Sequence, residues 1–94
     1  MNSISIKELA NKQDITIIDI RPNHEYQYGT IPNAINIPAI KLISSPTKYL
    51  EKNKTYYILC QSGRQSIDIV NTLNIQGFHT VNIIGGYNNY LLSK

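Results

Sequence analysis

One thiol stands where an apolar run meets a polar loop. Cys60, the only cysteine of the 94-residue chain, follows Thr55-Tyr56-Tyr57-Ile58-Leu59 and opens the segment Gln61-Ser62-Gly63-Arg64-Gln65-Ser66. Beyond it, Ile67-Asp68-Ile69-Val70-Asn71-Thr72-Leu73 reads as a helix. The first turn of a helix leaves about four N–H groups unpaired and carries roughly half a positive charge. A sulfur placed there is favoured as a thiolate, and an anion attached to it is favoured too. The ordinary reading of a lone cysteine beside Ile and Leu is a small core hydrophobe. Three features favour a nucleophile instead: the residues after Cys60 are small and polar, Gly63 permits backbone geometry that other residues resist, and Arg64 adds a fixed cation. The expectation is a sulfur open to solvent, ringed by main-chain donors.

Two further groups of residues sit at the ends of apolar runs. Asp19 and Arg21 close Ile15-Thr16-Ile17-Ile18-Asp19-Ile20, and Gly85-Gly86 closes Thr80-Val81-Asn82-Ile83-Ile84. Asp-x-Arg at a strand end reads first as an ion pair, and the paired glycines as a backbone requirement near the Cys60 loop. His24 and His79 fall at loop or helix-end positions away from any general-base position. Tyr26, Tyr28, Tyr87 and Tyr90 read as packing and rim.

The elements that must position these residues alternate. Ser5–Ala10 is a short helix with Ser5 and Glu8 spaced as a capping box. Ile15–Ile20 is a nearly continuous β-branched strand, stopped by Pro22. Asn23–Tyr28 is a helical turn or two ended by Gly29, and a brief strand follows near Ala34–Asn36. Ala39–Ile43 and Pro46–Glu51 read as short helices, the second with Ser45 as cap and Pro46 at its first position. Thr55–Leu59 is a strand, the helix after Cys60 runs to about Gln76 before Gly77, Thr80–Ile84 is a strand, and Tyr87–Ser93 a last helix. Such alternation predicts an α/β fold, a small parallel sheet with helices on both faces, in one domain over 1–94. Ligands in such folds bind beyond the carboxyl ends of the strands, where Asp19, Arg21, Cys60, Arg64, Gly85 and Gly86 all fall.

Composition narrows the partners. The formal charge is +3 and the lysines are scattered, without the basic, aromatic-interleaved stripe that nucleic-acid binding wants. A mild positive field with Arg21 and Arg64 at turns suits a small anion. No stretch approaches the ~20 apolar residues of a membrane span, and the N-terminal residues lack a signal-peptide layout. One cysteine forms no internal disulfide, so a reducing, cytoplasmic location is expected. A core this thin is expected to serve a monomer, and no metal or cofactor is expected.

Three segments in order resemble the rhodanese-like sulfurtransferase domain over nearly the whole chain. Ile18-Asp19-Ile20-Arg21-Pro22, then Glu25-Tyr26 and Gly29-Thr30-Ile31-Pro32-Asn33-Ala34, is similar to the family's Asp-x-Arg, Glu-aromatic and Gly-His-Ile-Pro-Gly-Ala. Cys60-Gln61-Ser62-Gly63-Arg64-Gln65-Ser66 resembles Cys-x-x-Gly-x-Arg-Ser/Thr, and Gly85-Gly86 with Tyr90 resembles Gly-Gly followed by Trp. Thr30, Asn33 and Tyr90 stand where His, Gly and Trp are usual, and Gln65 stands where many active members carry Arg. The resemblance implies that Cys60 is the catalytic nucleophile and takes the outer sulfur of thiosulfate or a low-molecular-weight persulfide. It implies that the N–H groups of Gln61, Ser62, Gly63, Arg64, Gln65 and Ser66 cradle that sulfur, and that Arg64 draws in the donor's oxyanion. Asp19, Arg21, Gly85 and Gly86 would hold the loops, and a thiol, a protein acceptor or cyanide would remove the sulfur.

Two rivals come from other classes. A cysteine-dependent phosphatase needs arginine where Ser66 stands. A persulfide carrier, or a binding module with little turnover, is favoured by Gln65.

Overall fold

Residues 2–94 are described by a computed structural model. In chain order they form β1 (Ser3–Ile4), α1 (Ile6–Ala10), β2 (Thr16–Asp19), α2 (Asn23–Tyr28), β3 (Ile35–Asn36), α3 (Ala39–Ser44), α4 (Pro46–Tyr49), β4 (Thr55–Leu59), α5 (Gln65–Ile75), β5 (His79–Ile83) and α6 (Gly86–Leu92). The strands make one sheet, ordered β1-β5-β4-β2-β3, and every pairing is parallel. The expected α/β architecture is therefore the observed one.

Side-chain alternation along the strands divides the core in two. Ile18, Ile20, Tyr56 and Ile58 pack on one face with Leu42 of α3 and with Ile69, Val70 and Leu73 of α5. Ile17, Tyr57, Leu59 and Ile83 pack on the other with Leu9 of α1, Tyr26 of α2, and Tyr87 and Tyr90 of α6. Both faces of the central strands are covered, which is why their sequences are nearly continuous in apolar residues. Each fully buried Ile or Leu here contributes about 2 kcal/mol.

The register also carries a polar line into the interior. β5 pairs with β4 so that Tyr56 meets Thr80 and Ile58 meets Asn82. Directly paired residues share a face, so Thr80 and Asn82 both face α5. Thr80 is satisfied by Asn74 of α5, whose side chain accepts from its N–H and hydroxyl at 2.8 Å and donates to its carbonyl at 2.9 Å.

Several boundaries differ from expectation. β1 has no counterpart in the sequence reading, because two residues show no alternation; β5 builds it by pairing Asn82 with Ser3 and Ile83 with Ile4. Ser45 stands at the start of α4, yet its hydroxyl makes no capping bond. Ser5 does cap α1, and both halves of the capping box form: the Glu8 N–H donates to Ser5 Oγ, and the Ser5 N–H to Glu8 Oε1.

Between β5 and α6 the chain presses on the Cys60 loop. The N–H groups of Tyr87 and Asn88 donate to the carbonyls of Cys60 (2.9 Å) and Gln61 (3.0 Å). That approach requires glycine. A Cβ on Gly86, whose φ is +58°, would overlap the Cys60 carbonyl oxygen and stand 2.8 Å from Gly63 N and 2.9 Å from the Gln61 carbonyl carbon.

Two outcomes are predicted. Gly86→Ala combines left-handed strain with backbone overlap and destabilises by about 2–4 kcal/mol, measured by urea unfolding. Hydrogen bonds from the Ser5 N–H and then its hydroxyl hold Glu8 below its ordinary 4.5. A lowered folded value makes the cap complete above the ordinary range and lost as pH falls through the lowered value. The Ser5 amide resonance therefore moves as pH drops below 4.5, and stays in place in Glu8→Gln.

Candidate active site

β4 delivers Cys60 to the carboxyl edge of the sheet, and parity with Tyr56 and Ile58 aims its side chain at α5. Two main-chain donors and one hydroxyl meet the sulfur. The Gly63 N–H lies 3.1 Å from Sγ, the Ser66 N–H 3.4 Å, and Ser66 Oγ 3.1 Å. Gly63 reaches this position at φ +85°, a conformation that side chains disfavour. Main-chain donors aimed at a sulfur stabilise negative charge on it, whether on a thiolate or on an atom added beyond it. The N–H groups of Gln61, Ser62, Arg64 and Gln65 meet no backbone acceptor among the described residues.

The expectation of an open sulfur is overturned. Cys60 is only 2% exposed and belongs to the core cluster with Ile58, Val70 and Leu73. The cause is the tightness of the loop: Gly63 and Ser66 hydrogen-bond the sulfur from above while α5 closes over it. The inward-pointing amides are present, but they hold the sulfur beneath the loop.

The other candidate residues divide. Gly63 and Ser66 touch the sulfur directly. Ser62, Arg64 and Gln65 are exposed, Arg64 beside a groove of about 680 Å³ that also borders Ile67, Asn82, Ile84 and Gly85. The Gln61 side chain turns away from the sulfur, its Oε1 accepting from Arg21 Nη1 at 3.0 Å and its Nε2 donating to Asn88 Oδ1 at 2.5 Å.

Asp19 and Arg21 form a buried ion pair at 2.7 Å, 0% and 4% exposed. Arg21 also donates to the Gly29 carbonyl at 2.6 Å and lies 4.4 Å above the Tyr87 ring. Hydrogen bonding to Asp19 holds Arg21 above its usual value, against the opposing effect of burial. Thr30, at the position where the family usually shows His, donates to Asp19 Oδ2 at 2.8 Å, and Asn36 Nδ2 donates to the carbonyls of Asp19 and Arg21, each at 2.9 Å. The bonds of the pair to Gly29, Thr30 and Gln61 brace the loops. His24 is largely exposed, and His79 starts β5 at the far edge of the sheet.

Asn82 was not among the residues singled out by sequence. It is 5% exposed on a central strand and accepts a short hydrogen bond from Ser66 Oγ. Its signal was present: Thr80 and Asn82, two apart, put polar groups on one face of a strand that a covered parallel sheet fills with apolar residues.

Known proteins place this geometry in a family. The rhodanese-like domain model matches residues 4–93. YtwF of Bacillus subtilis is 33% identical over 87 residues, spanning 92% of this chain and 84% of that one. The thiosulfate sulfurtransferase GlpE of Coxiella burnetii is 35% identical over 81 residues, spanning 85% and 75%. The crystal structure of a rhodanese-like domain protein from Staphylococcus aureus superposes with a TM-score of 0.86 at 34% identity, over 96% of this chain and 91% of that one. The thiol beneath its amide loop, the braced Asp-x-Arg turn and the glycine pair thus lie in a chain that belongs to the rhodanese-like domain family.

Proposed function

We propose that this protein is a sulfurtransferase that moves a sulfane sulfur through a Cys60 persulfide. The observation that carries the reading is the convergence of the Gly63 and Ser66 N–H groups on Cys60 Sγ at the carboxyl edge of the sheet. The names borne by its relatives support the reaction class.

The donor is thiosulfate or a low-molecular-weight persulfide. The Cys60 thiolate attacks the outer sulfur of thiosulfate; a new S–S bond forms, the old one breaks, and its electron pair leaves on sulfite. A thiol or cyanide then attacks the outer sulfur of the persulfide, and the Cys60 thiolate is released. Splitting the transfer into two displacements is covalent catalysis. Between the steps the terminal sulfur carries charge, and the free N–H groups of the loop stabilise it. Arg64, exposed and outside any ion pair among the described residues, attracts the donor's oxyanion. Because Cys60 is buried, transfer requires the stretch from Gln61 to Gln65 to admit the donor. The lone thiol suits a reducing compartment such as the cytoplasm.

A second reading, a persulfide carrier with slow turnover, is favoured by Gln65, an exposed amide at the start of α5 where an arginine would add charge.

Mass spectrometry tests the first reading. Wild-type protein given thiosulfate gains the mass of one sulfur on Cys60, and Cys60→Ser gains none; wild type left unmodified by both thiosulfate and glutathione persulfide contradicts it. Gln65→Arg raises thiosulfate:cyanide turnover by about tenfold, the worth of one charge-assisted hydrogen bond in the transition state. Unchanged turnover assigns the anion contact to Arg64. Stoichiometric loading without turnover in either form identifies a carrier.

A further inference from the structure

The Ser66 hydroxyl is completely buried between two partners, Cys60 Sγ at 3.1 Å and the side chain of Asn82. A hydroxyl has one proton to give. While the sulfur is protonated, the thiol donates to Ser66 Oγ, and Oγ–H donates to Asn82 Oδ1. Once the sulfur's proton has left to solvent, the same hydroxyl proton is wanted on the sulfur. Ser66 Oγ then faces Asn82 as an acceptor, and a carbonyl there would leave two acceptors in contact. An asparagine resolves this because its amide presents either oxygen or NH₂ from nearly the same shape. Asn82 borders the open groove beside Arg64, which leaves the amide room to turn.

We propose that Asn82 is a positioning residue for the chemistry at Cys60. By turning its amide it sets the direction of the Ser66 hydroxyl proton: toward itself when the sulfur is a thiol, toward the sulfur when that atom is charged. The β4–β5 register supports the assignment, since it puts Asn82 beside Ile58 on the face that meets the first turn of α5. Apart from Cys60 itself, no ionisable side chain hydrogen-bonds Ser66 or Asn82 among the described residues. Asp19 and Arg21 at the end of β2 pair with each other, Arg64 and Asp68 are exposed, and His79 is exposed at the other end of β5.

The proposal deepens the sulfurtransferase reading, but its test needs no sulfur donor. Thiolate absorbance in the ultraviolet is titrated against pH, as the difference from Cys60→Ser, so that each curve reports the single cysteine. Asn82→Val suits a strand and removes the amide; Asn82→Asp only accepts and pins the Ser66 proton on itself. Asn82→Asp moves the thiolate midpoint upward by about one pH unit, the worth of one hydrogen bond to a charged group, whereas Asn82→Val, which leaves the Ser66 hydroxyl only the sulfur to donate to, does not raise it. In a Ser66→Ala background the Asn82→Asp shift shrinks to the part that the carboxylate's charge alone contributes, whereas a loss of packing or a purely direct effect of charge would leave it at full size. An unchanged midpoint in an Asn82→Asp protein that melts like wild type, or a shift as large without the Ser66 hydroxyl as with it, overturns the proposal. Failed sulfur loading with the midpoint shifts intact would instead overturn the transfer reading alone.

Discussion

The loop around Cys60 depends on two hydrogen bonds that it accepts. Its carbonyls at Cys60 and Gln61 are held by the N–H groups of Tyr87 and Asn88, in the first turn of α6. A peptide unit whose carbonyl is fixed outward has little freedom left, and here the loop turns the Gly63 and Ser66 N–H groups onto the sulfur. Gly63 and Gly86 are the steric condition for this contact, since a Cβ on either would run into the backbone of the other segment. Sequence distant by some twenty-five residues from Cys60 thus sets the environment of its sulfur.

A second constraint supports the first from the opposite side. An ion pair as buried as Asp19–Arg21 is costly to desolvate unless every polar arm finds a partner. Here Thr30, Gly29 and Gln61 supply partners to the charged groups, Asn36 holds the main-chain carbonyls of both residues, and Tyr87 covers the guanidinium. Gln61 and Tyr87 belong to the same two segments that join the loop to α6. The pair is therefore a clamp on the geometry around Cys60.

Much of this was legible in the sequence, for physical reasons that can be named. β2 and β4 were readable because a strand covered on both faces must be continuously apolar, and α1 because its capping box is local. The gathering of Asp19, Cys60 and Gly85 at one edge followed from parallel connectivity. What could not be read depends on register and on loop closure. β1 exists only because β5 offers an edge. Asn82 acquires its partner through its pairing with Ile58, and periodicity alone does not give that pairing. The burial of Cys60 was misjudged because a polar loop suggests exposure, whereas here the polar backbone turns inward and folds over the sulfur.

Burial and reactivity are compatible if the groups covering the sulfur are the groups that bind its charge. Amide proton and nitrogen resonances test this directly, recorded before and after glutathione persulfide is added. The Gly63 and Ser66 amides should shift as Cys60 acquires a second sulfur, and should return when a thiol removes it. Resonances at those two positions that stay fixed while Cys60 is demonstrably persulfidated would contradict the account.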